Sequence, residues 1–180
     1  ALLLGDLLAR QERPREALRY RREALETSRR EWGEEAPETL AAQRRLAQTL
    51  AGQDRLLEAE TLAAEARERT LRRFDAAAPE TLSAELALGL VREKQGWWSE
   101  AEELDRRALE GLRRARGDEH RETLFAATRI ASLMLRREQY APAARLLEDL
   151  VLRRRRALGD DHPETIEALR MRGVARAALG

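Results

Sequence analysis

One internal period constrains this chain more than any other feature. Four Glu-Thr pairs share one register, each lying 42 residues after the one before it, and no gap is needed to align them. A fixed period of this size is typical of stacked structural repeats, because one unit cannot bury its own apolar side and its neighbours must cover it. The threonines of these pairs are Thr39, Thr81, Thr123 and Thr165.

Each repeat is predicted to form two helices, A and B. Proline precedes the Glu-Thr pair in three of the four copies, and it suits the first turn of a helix, where its missing N–H would have no partner. Helix A is therefore expected to begin there and to run for about 14 to 16 residues, for example from Pro37 to Ala51. After a short polar turn, helix B is predicted to begin near Leu56, Trp98 and Tyr140.

Glycine predicts where helix B ends. Gly33, Gly117 and Gly159 share one column of the repeat, just before the next Glu-Thr start, where a left-handed residue commonly ends a helix. In the second unit Asp75 takes that place, and we expect it to adopt the same conformation less readily than glycine does.

Small residues fill further columns of the repeat and predict how the helices pack. Alanine or glycine at a fixed position lets two helices approach closely while a neighbouring leucine fills the space beside them. Ala, Leu, Arg and Glu dominate the composition, which favours helices over strands. The expected fold is all-α, a right-handed α-solenoid of antiparallel helix pairs with a concave groove lined by the A helices. The clearest small column comprises Ala17, Ala59, Ala101 and Ala143.

The whole chain is expected to be one repeat array and a fragment of a longer protein, because it opens inside a helix A and lacks an initiator methionine. The predicted units span residues 1–36, 37–78, 79–120 and 121–162, followed by a final helix A at 163–180.

The order of small residues resembles the tetratricopeptide repeat family, as in Leu46-Ala47 followed by Ala59 and Ala66. The 42-residue period and the segment Leu-Gly-Asp-Asp-His-Pro-Glu-Thr at 158–165 resemble its longer-period subclass, typified by kinesin light chains. This resemblance implies a superhelix that binds peptides or proteins. In the kinesin-light-chain type, paired asparagines in helix A bind a peptide backbone. This chain contains no asparagine, so that mode of binding is not expected.

Ligand contacts are predicted in the columns of helix A that vary between repeats, because the constant columns carry the stack. Arg44, Arg45 and Gln48 are expected to meet an acidic residue or a C-terminal carboxylate through charge-assisted hydrogen bonds. The alternative is an ordinary solvated surface. The apolar part of the groove is predicted to comprise Leu86, Leu90 and Phe125, and its remaining polar part Thr128, Arg129, Ser132 and Arg170.

Two adjacent tryptophans receive different predictions. The repeat equivalents of Trp97 are polar, so its side chain is expected to point outward, either as an interface anchor or as a partly covered surface aromatic. Trp98 shares its column with Leu56 and Tyr140 and is expected in the core.

Two further features have ordinary structural interpretations. His120 and His162 share one column at the start of helix A, where a turn residue explains them and the repeat separation disfavours a shared metal. The run of four arginines at 153–156 spreads around a helix and is expected to be a solvated helix end.

Composition narrows the function. There is no cysteine, no phosphate-binding glycine loop and no Ser-His-Asp set, so neither an enzyme nor a cofactor is expected. The formal net charge is only +1 with acids and bases interleaved, which disfavours a nucleic-acid partner. No apolar stretch is long enough to span a membrane, and a cytoplasmic location is expected.

Two classes of function remain open at the level of sequence. The first is a scaffold that binds a peptide or partner protein in the concave groove. The second is a structural or regulatory segment of a larger signalling protein that packs on neighbouring domains or self-associates through exposed array ends.

Overall fold

The computed structural model describes residues 14–180, and the first predicted helix A lies outside them. Regular structure within this range consists of eight helices and no strand. In chain order they are α1 (Pro14–Trp32), α2 (Pro37–Gly52), α3 (Leu56–Arg73), α4 (Pro79–Lys94), α5 (Trp98–Arg116), α6 (Arg121–Arg136), α7 (Tyr140–Leu158) and α8 (Pro163–Ala177).

These boundaries confirm the predicted alternation of A and B helices. The even-numbered helices are the A helices and begin at the Glu-Thr signal, whereas the odd-numbered ones are B helices. The three predicted B starts, Leu56, Trp98 and Tyr140, are the first residues of α3, α5 and α7. Local signals were sufficient because helix ends depend on a few residues around each turn.

The ends of the B helices confirm one prediction and correct another. Gly33, Gly117 and Gly159 have φ of 84°, 84° and 91°, as expected for residues that end a helix. Asp75 does not take the left-handed conformation. Instead α3 ends at an extended Phe74 (φ −124°), and the Asp75 carboxylate accepts a hydrogen bond from the Ala77 amide at 2.8 Å. This local bond ends the helix without the steric penalty that a side chain has at positive φ.

The turn from helix A to helix B uses a left-handed residue that the sequence did not indicate. Asp54, Gly96 and Glu138 occupy the same repeat column, with φ of 56°, 84° and 58°. The turn geometry is thus the same in each of these units, although only one of the three residues is glycine.

The A helices begin in two different ways. In α2 and α4 the N-cap is alanine without a side-chain hydrogen bond, but the Thr39 hydroxyl donates to the Gly33 carbonyl at 2.7 Å and Thr81 to the Asp75 carbonyl at 2.8 Å. In α6 and α8 the N-cap is a histidine whose Nδ1 accepts the amide of the residue two positions on, at 3.2 Å. His120 and His162 are therefore helix caps, as their place at the turn predicted.

The described residues divide into two compact units, one that ends at residue 104 and one that spans residues 105–180, so the boundary falls within α5. In the first unit, α2 packs between α1 and α3, and α4 packs on both α2 and α3. The Ala59 side chain is fully buried in its core, as are Ala17 and Ala101 of the same repeat column. Such contacts explain the small column, since a larger side chain there would force the helices apart. The core comprises Leu18, Leu25, Ala42, Leu46, Ala47, Leu50, Ala51, Ala59, Ala63, Leu88, Val91 and Leu104.

The second unit repeats this arrangement. α7 packs against α6 and α8, and Ala143 continues the buried small column. An ion pair between Arg153 and Asp118 joins α7 to the turn before α6, and Arg153 also pairs with Asp149 of its own helix. The largest fully buried side chains of this unit are Leu112, Ile130, Leu133, Leu147, Leu150 and Val151.

Candidate functional site

The A helix α2 of the first unit presents the predicted basic cluster on one face. Arg44, Arg45 and Gln48 are all half-buried, and Gln48 follows one turn after Arg44. The Thr49 hydroxyl donates back to the Arg45 carbonyl at 3.1 Å, which adds a local bond on this side of the helix. The side chains are therefore partly accessible, and they are close enough along the helix to contact the same group of a ligand.

The next A helix does not provide the predicted apolar pocket. Every residue from 81 to 89 of α4 is buried, and Leu86 has only 2% of its surface exposed. Leu90 is half-buried and packs against the first unit's core. The expectation that Leu86 contacts a ligand is therefore corrected. The physical reason is that residues 82–91 of α4 are mostly apolar, and a helix that is apolar around most of its circumference is buried around most of it.

In the second unit, α6 places a single aromatic residue on its exposed face. Phe125 is 41% exposed, and the half-buried Thr128 and Ser132 follow one and two turns further along the same helix. The Thr128 hydroxyl is already engaged, because it donates to the Leu124 carbonyl at 2.7 Å and accepts from the Arg154 guanidinium at 2.7 Å. Phe125 is thus the accessible apolar group of this face.

Arg129 is not part of this surface, which corrects a second prediction. Its side chain is 6% exposed and forms a two-point ion pair with the fully buried Asp105, at 3.1 Å from Nε and 2.9 Å from Nη2. A buried carboxylate requires such a partner, because an unpaired charge is strongly disfavoured away from water. The pair holds α6 against α5 within the second unit.

Arg170 lies on the exposed surface of α8 and is already paired. Its guanidinium makes two bonds to Glu167, at 2.8 and 2.7 Å. The hydrogen bond from Arg170 lowers the pKa of the Glu167 carboxyl, and the same bond raises the pKa of Arg170. A ligand at this position would have to compete with Glu167 for the guanidinium.

The arginine run at 153–156 contains one residue whose exposure was predicted wrongly from the sequence. The run does spread around α7, and Arg155 and Arg156 are exposed, but the Arg154 side chain is only 3% exposed. Arg154 donates to the Glu164 carbonyl and to Thr128, and its charge lies 3.5 Å from the Glu164 carboxylate. Burial lowers the pKa of this guanidinium, with Glu164 and Glu167 opposing the shift. The prediction of a solvated helix end is therefore wrong for Arg154, whose side chain links α7 to α6 and α8.

The two tryptophans are both at the surface. Trp97 is 50% exposed, as its outward orientation predicted, whereas Trp98 is 44% exposed and not in the core. Trp98 begins α5, and two other members of its column, Leu56 and Tyr140, are themselves only half-buried. The Arg92 guanidinium lies 4.5 Å from the centre of the Trp97 ring, which is a cation–π contact.

Two other kinds of site have no counterpart in the described part of the chain. Between residues 14 and 180, no group of three His, Cys, Asp or Glu side chains is placed to hold a metal ion. Within the same range, no helix is both long and apolar enough to cross a membrane.

Comparisons with known proteins agree with this geometry. The tetratricopeptide repeat family model matches residues 1–72 and 80–151, well over half of the chain. A putative kinesin light chain from Podosopora anserina, described as having nearly identical TPR-like repeats, superposes with a TM-score of 0.70 at 21% identity, covering 98% of this chain and 84% of that one. The structure of a single-substitution variant of that protein gives 0.71 at 21% identity with the same coverage.

A third solved structure gives a similar superposition. BtubC (BKLC) from P. vanneervenii has a TM-score of 0.75 at 18% identity, covering 98% of this chain and 70% of that one. None of the curated proteins matches the chain. The predicted all-α solenoid and the resemblance to kinesin-light-chain-like repeats are confirmed.

Proposed function

This chain belongs to the tetratricopeptide repeat family, and on that basis we propose that it is a scaffold that binds a peptide or a segment of a partner protein on its A helices. Proteins of this fold generally mediate protein–protein interactions and are typically not enzymes. The finer assignment, to the variable face of the A helices, rests on the residues exposed there.

The observation that carries the proposal is the exposed Phe125 on α6. The same column holds Ala41, Ser83 and Glu167 in the other A helices, so the repeat itself does not require an aromatic residue there. An apolar ring at 41% exposure with polar neighbours is the usual arrangement of an interface anchor, because burying the ring displaces water while the rim remains solvated.

The half-buried cluster on α2 supports a binding role for the first unit. Arg44, Arg45 and Gln48 provide cationic and amide donors that suit an acidic side chain or a C-terminal carboxylate. We therefore propose a protein ligand with acidic character at this cluster and not a nucleic acid, for which the interleaved charges offer no basic surface. A cytoplasmic location is part of the same proposal and is testable by cell fractionation.

A pull-down with matched variants tests the proposal. Phe125→Ala is compared with Leu152→Ala, which removes an apolar side chain that is 54% exposed on a B helix. Arg44→Glu with Arg45→Glu is compared with Arg114→Glu, on α5. A partner that the wild type and both controls retain, but that either A-helix variant loses, supports the scaffold function. A partner retained by all variants, or no partner at all, contradicts binding on the A helices.

A second candidate function is a structural or regulatory segment that packs on another domain or on a second copy. Ile166 of α8 is 53% exposed. The residues of the same column in the other A helices are buried, with exposed fractions of 5% for Leu40, 4% for Leu82 and 2% for Leu124. Sedimentation equilibrium of the wild type and Ile166→Glu tests the self-association form of this candidate. A dimer that the substitution dissociates favours it, and a monomer at all concentrations counts against it.

A further inference from the structure

One apolar side of α8 is exposed, although the same side of other A helices is buried. Ile166, Leu169, Gly173 and Ala177 follow one another at helical spacing and therefore share one side of this helix. Ile166 is 53% exposed, Gly173 and Ala177 are also exposed, and Leu169 is half-buried. We call the side formed by these four residues the open face. The buried side of the same helix comprises Thr165, Ala168, Met171 and Ala175.

In the first unit, the corresponding side of α2 is covered by the helix B that follows it. The Gln43 amide donates to the Leu62 carbonyl at 3.2 Å and to the Glu65 carboxylate at 3.1 Å, and both acceptors belong to α3. The α2 residues in the four columns of the open face are at most 5% exposed. They are Leu40, Gln43, Ala47 and Ala51.

In the second unit, the same side of α6 is also covered by the following helix B. Leu124 and Ala127, which share columns with the first two residues of the open face, line one small cavity together with Leu146 and Leu150 of α7. Within the described residues, α8 packs on α7 and to a smaller extent on α6. The side of α8 that corresponds to a helix B seat is therefore the side that remains exposed.

Gly173 lies in the middle of the open face and allows a second helix to approach closely. Its column holds Ala47 and Ala131, which are both fully buried. A Cβ added to Gly173 would have no heavy atom within 4 Å outside its own stretch of helix. A larger side chain at Gly173 therefore has room in the fold itself and conflicts only with a helix docked on the open face.

Arg172 gives the open face a charge preference. This side chain is half-buried and makes no ion pair or hydrogen bond with any residue that the structure describes. It lies one turn after Leu169, whose counterpart Gln43 contacts Glu65 of α3. A carboxylate in the Glu65 position of a docked helix is thus within reach of the Arg172 guanidinium. The other described A helices have buried apolar residues in the Arg172 column, namely Leu46, Leu88 and Ile130.

We infer that the open face docks an amphipathic helix of a partner protein, in the position that a helix B takes on α2 and α6. The docked helix presents a small residue to Gly173, apolar residues to Ile166 and Leu169, and a carboxylate to Arg172. A second copy is a poorer occupant, because an antiparallel pair of α8 helices brings both Arg172 side chains to the same side of the contact. The inference rests on the second candidate function and names the chemistry of its partner.

A peptide with the sequence of α3 (Leu56–Arg73) is the probe, held helical by a hydrocarbon staple between positions 57 and 61, which are exposed in α3. In fluorescence-anisotropy titrations the peptide should bind the wild-type protein, and Gly173→Leu should weaken this binding roughly tenfold, because added bulk at a close helix contact is disfavoured. Val174→Leu is the matched control. Val174 is 47% exposed and lies beside the open face, so its substitution should leave binding unchanged. Circular dichroism melts should show Gly173→Leu at least as stable as the wild type, because leucine favours helix more than glycine does.

A charge exchange tests the assigned role of Arg172. Arg172→Glu should weaken binding of the peptide, and Glu65→Lys in the peptide should restore binding to that variant. Phe125→Ala should leave peptide binding unchanged, so this test and the pull-down fail independently. No binding of the stapled peptide, equal binding to wild type and Gly173→Leu, or a charge exchange that restores nothing would overturn the inference. Binding that is lost in Phe125→Ala but retained in Gly173→Leu would also overturn it, while supporting the scaffold function of the A-helix face.

Discussion

The buried pair of Asp105 and Arg129 offers a quantitative test of how the second unit is held together. Asp105→Asn keeps the shape of the side chain and removes its charge. Arg129, which is 6% exposed, then loses the charged partner with which it now makes two contacts, at 3.1 and 2.9 Å. Breaking one partner of a buried pair typically costs about 3–5 kcal/mol of unfolding free energy.

An exposed pair in the same unit is the control. Arg114 and Glu110 lie 3.8 Å apart with side chains 82% and 68% exposed, so Glu110→Gln should cost less than about 1 kcal/mol. The double variant Asp105→Leu with Arg129→Met should recover most of the loss, because an apolar pair of similar volume often replaces a buried ion pair with little net effect.

Urea denaturation followed by circular dichroism measures all four proteins. The reasoning requires a large loss for Asp105→Asn, a small one for Glu110→Gln and partial or full recovery in the double variant. It would be refuted if Asp105→Asn and Glu110→Gln had equal effects, since burial would then contribute nothing to the cost of losing the partner.

Three further predictions concern local contacts. Glu138→Gly should raise the unfolding free energy by about 0.5–1 kcal/mol in urea titrations, because Glu138 has φ of 58°; an unchanged or lower value would contradict strain there. His162→Ala should lower the melting temperature through loss of the cap bond to the Glu164 amide, costing about 1 kcal/mol, whereas His162→Asn should keep most of it; equal losses would argue against capping. Hydrogen bonds from Gln95 and Arg92 lower the pKa of Glu60, so the stability it contributes is present above its unfolded pKa and is lost as the pH falls through the folded one. The stability difference between wild type and Glu60→Gln should therefore shrink on acidification in pH-dependent denaturation, and a constant difference would contradict this.

The repeat pattern predicted the helices because their ends are set locally. Pro37 and Pro79 begin A helices, glycine ends three B helices, and each signal acts within a few residues of the turn it controls. The fully buried Ala59 column was predictable for a related reason. Small side chains at one position in every unit have a packing purpose that does not depend on distant residues.

Exposure at the candidate site was harder to predict. Variation of a column between repeats shows that the stack tolerates different residues there, but it does not show that the position is accessible. The column of Leu86 is variable, since it holds Arg44 and Thr128 in other repeats. Leu86 is nevertheless buried, because α4 is enclosed on nearly all sides. Trp98 was predicted to be buried because its column is apolar, but Leu56 and Tyr140 of that column are only half-buried.

The burial of Arg129 and Arg154 could not be predicted without knowing which distant residues they contact. Arg129 is paired with Asp105, 24 residues earlier and on another helix, and Arg154 contacts Thr128 and Glu164. One signal was present in the sequence: the Asp105 column holds Arg21, Ala63 and Leu147, all of them buried. A carboxylate in a buried column indicates a cationic partner, but the identity of that partner follows only from the packing of the helices.

The central claim, that the A helices bind a protein segment through their variable face, is tested most directly by an NMR titration. The ¹⁵N-labelled protein would be titrated with a peptide or partner that passed the pull-down with its controls. The account predicts that the largest amide shift changes fall on α6 around Phe125, Thr128 and Ser132, or on α2 around Arg44 and Gln48. Shift changes confined to the B helices or to no defined surface would contradict it.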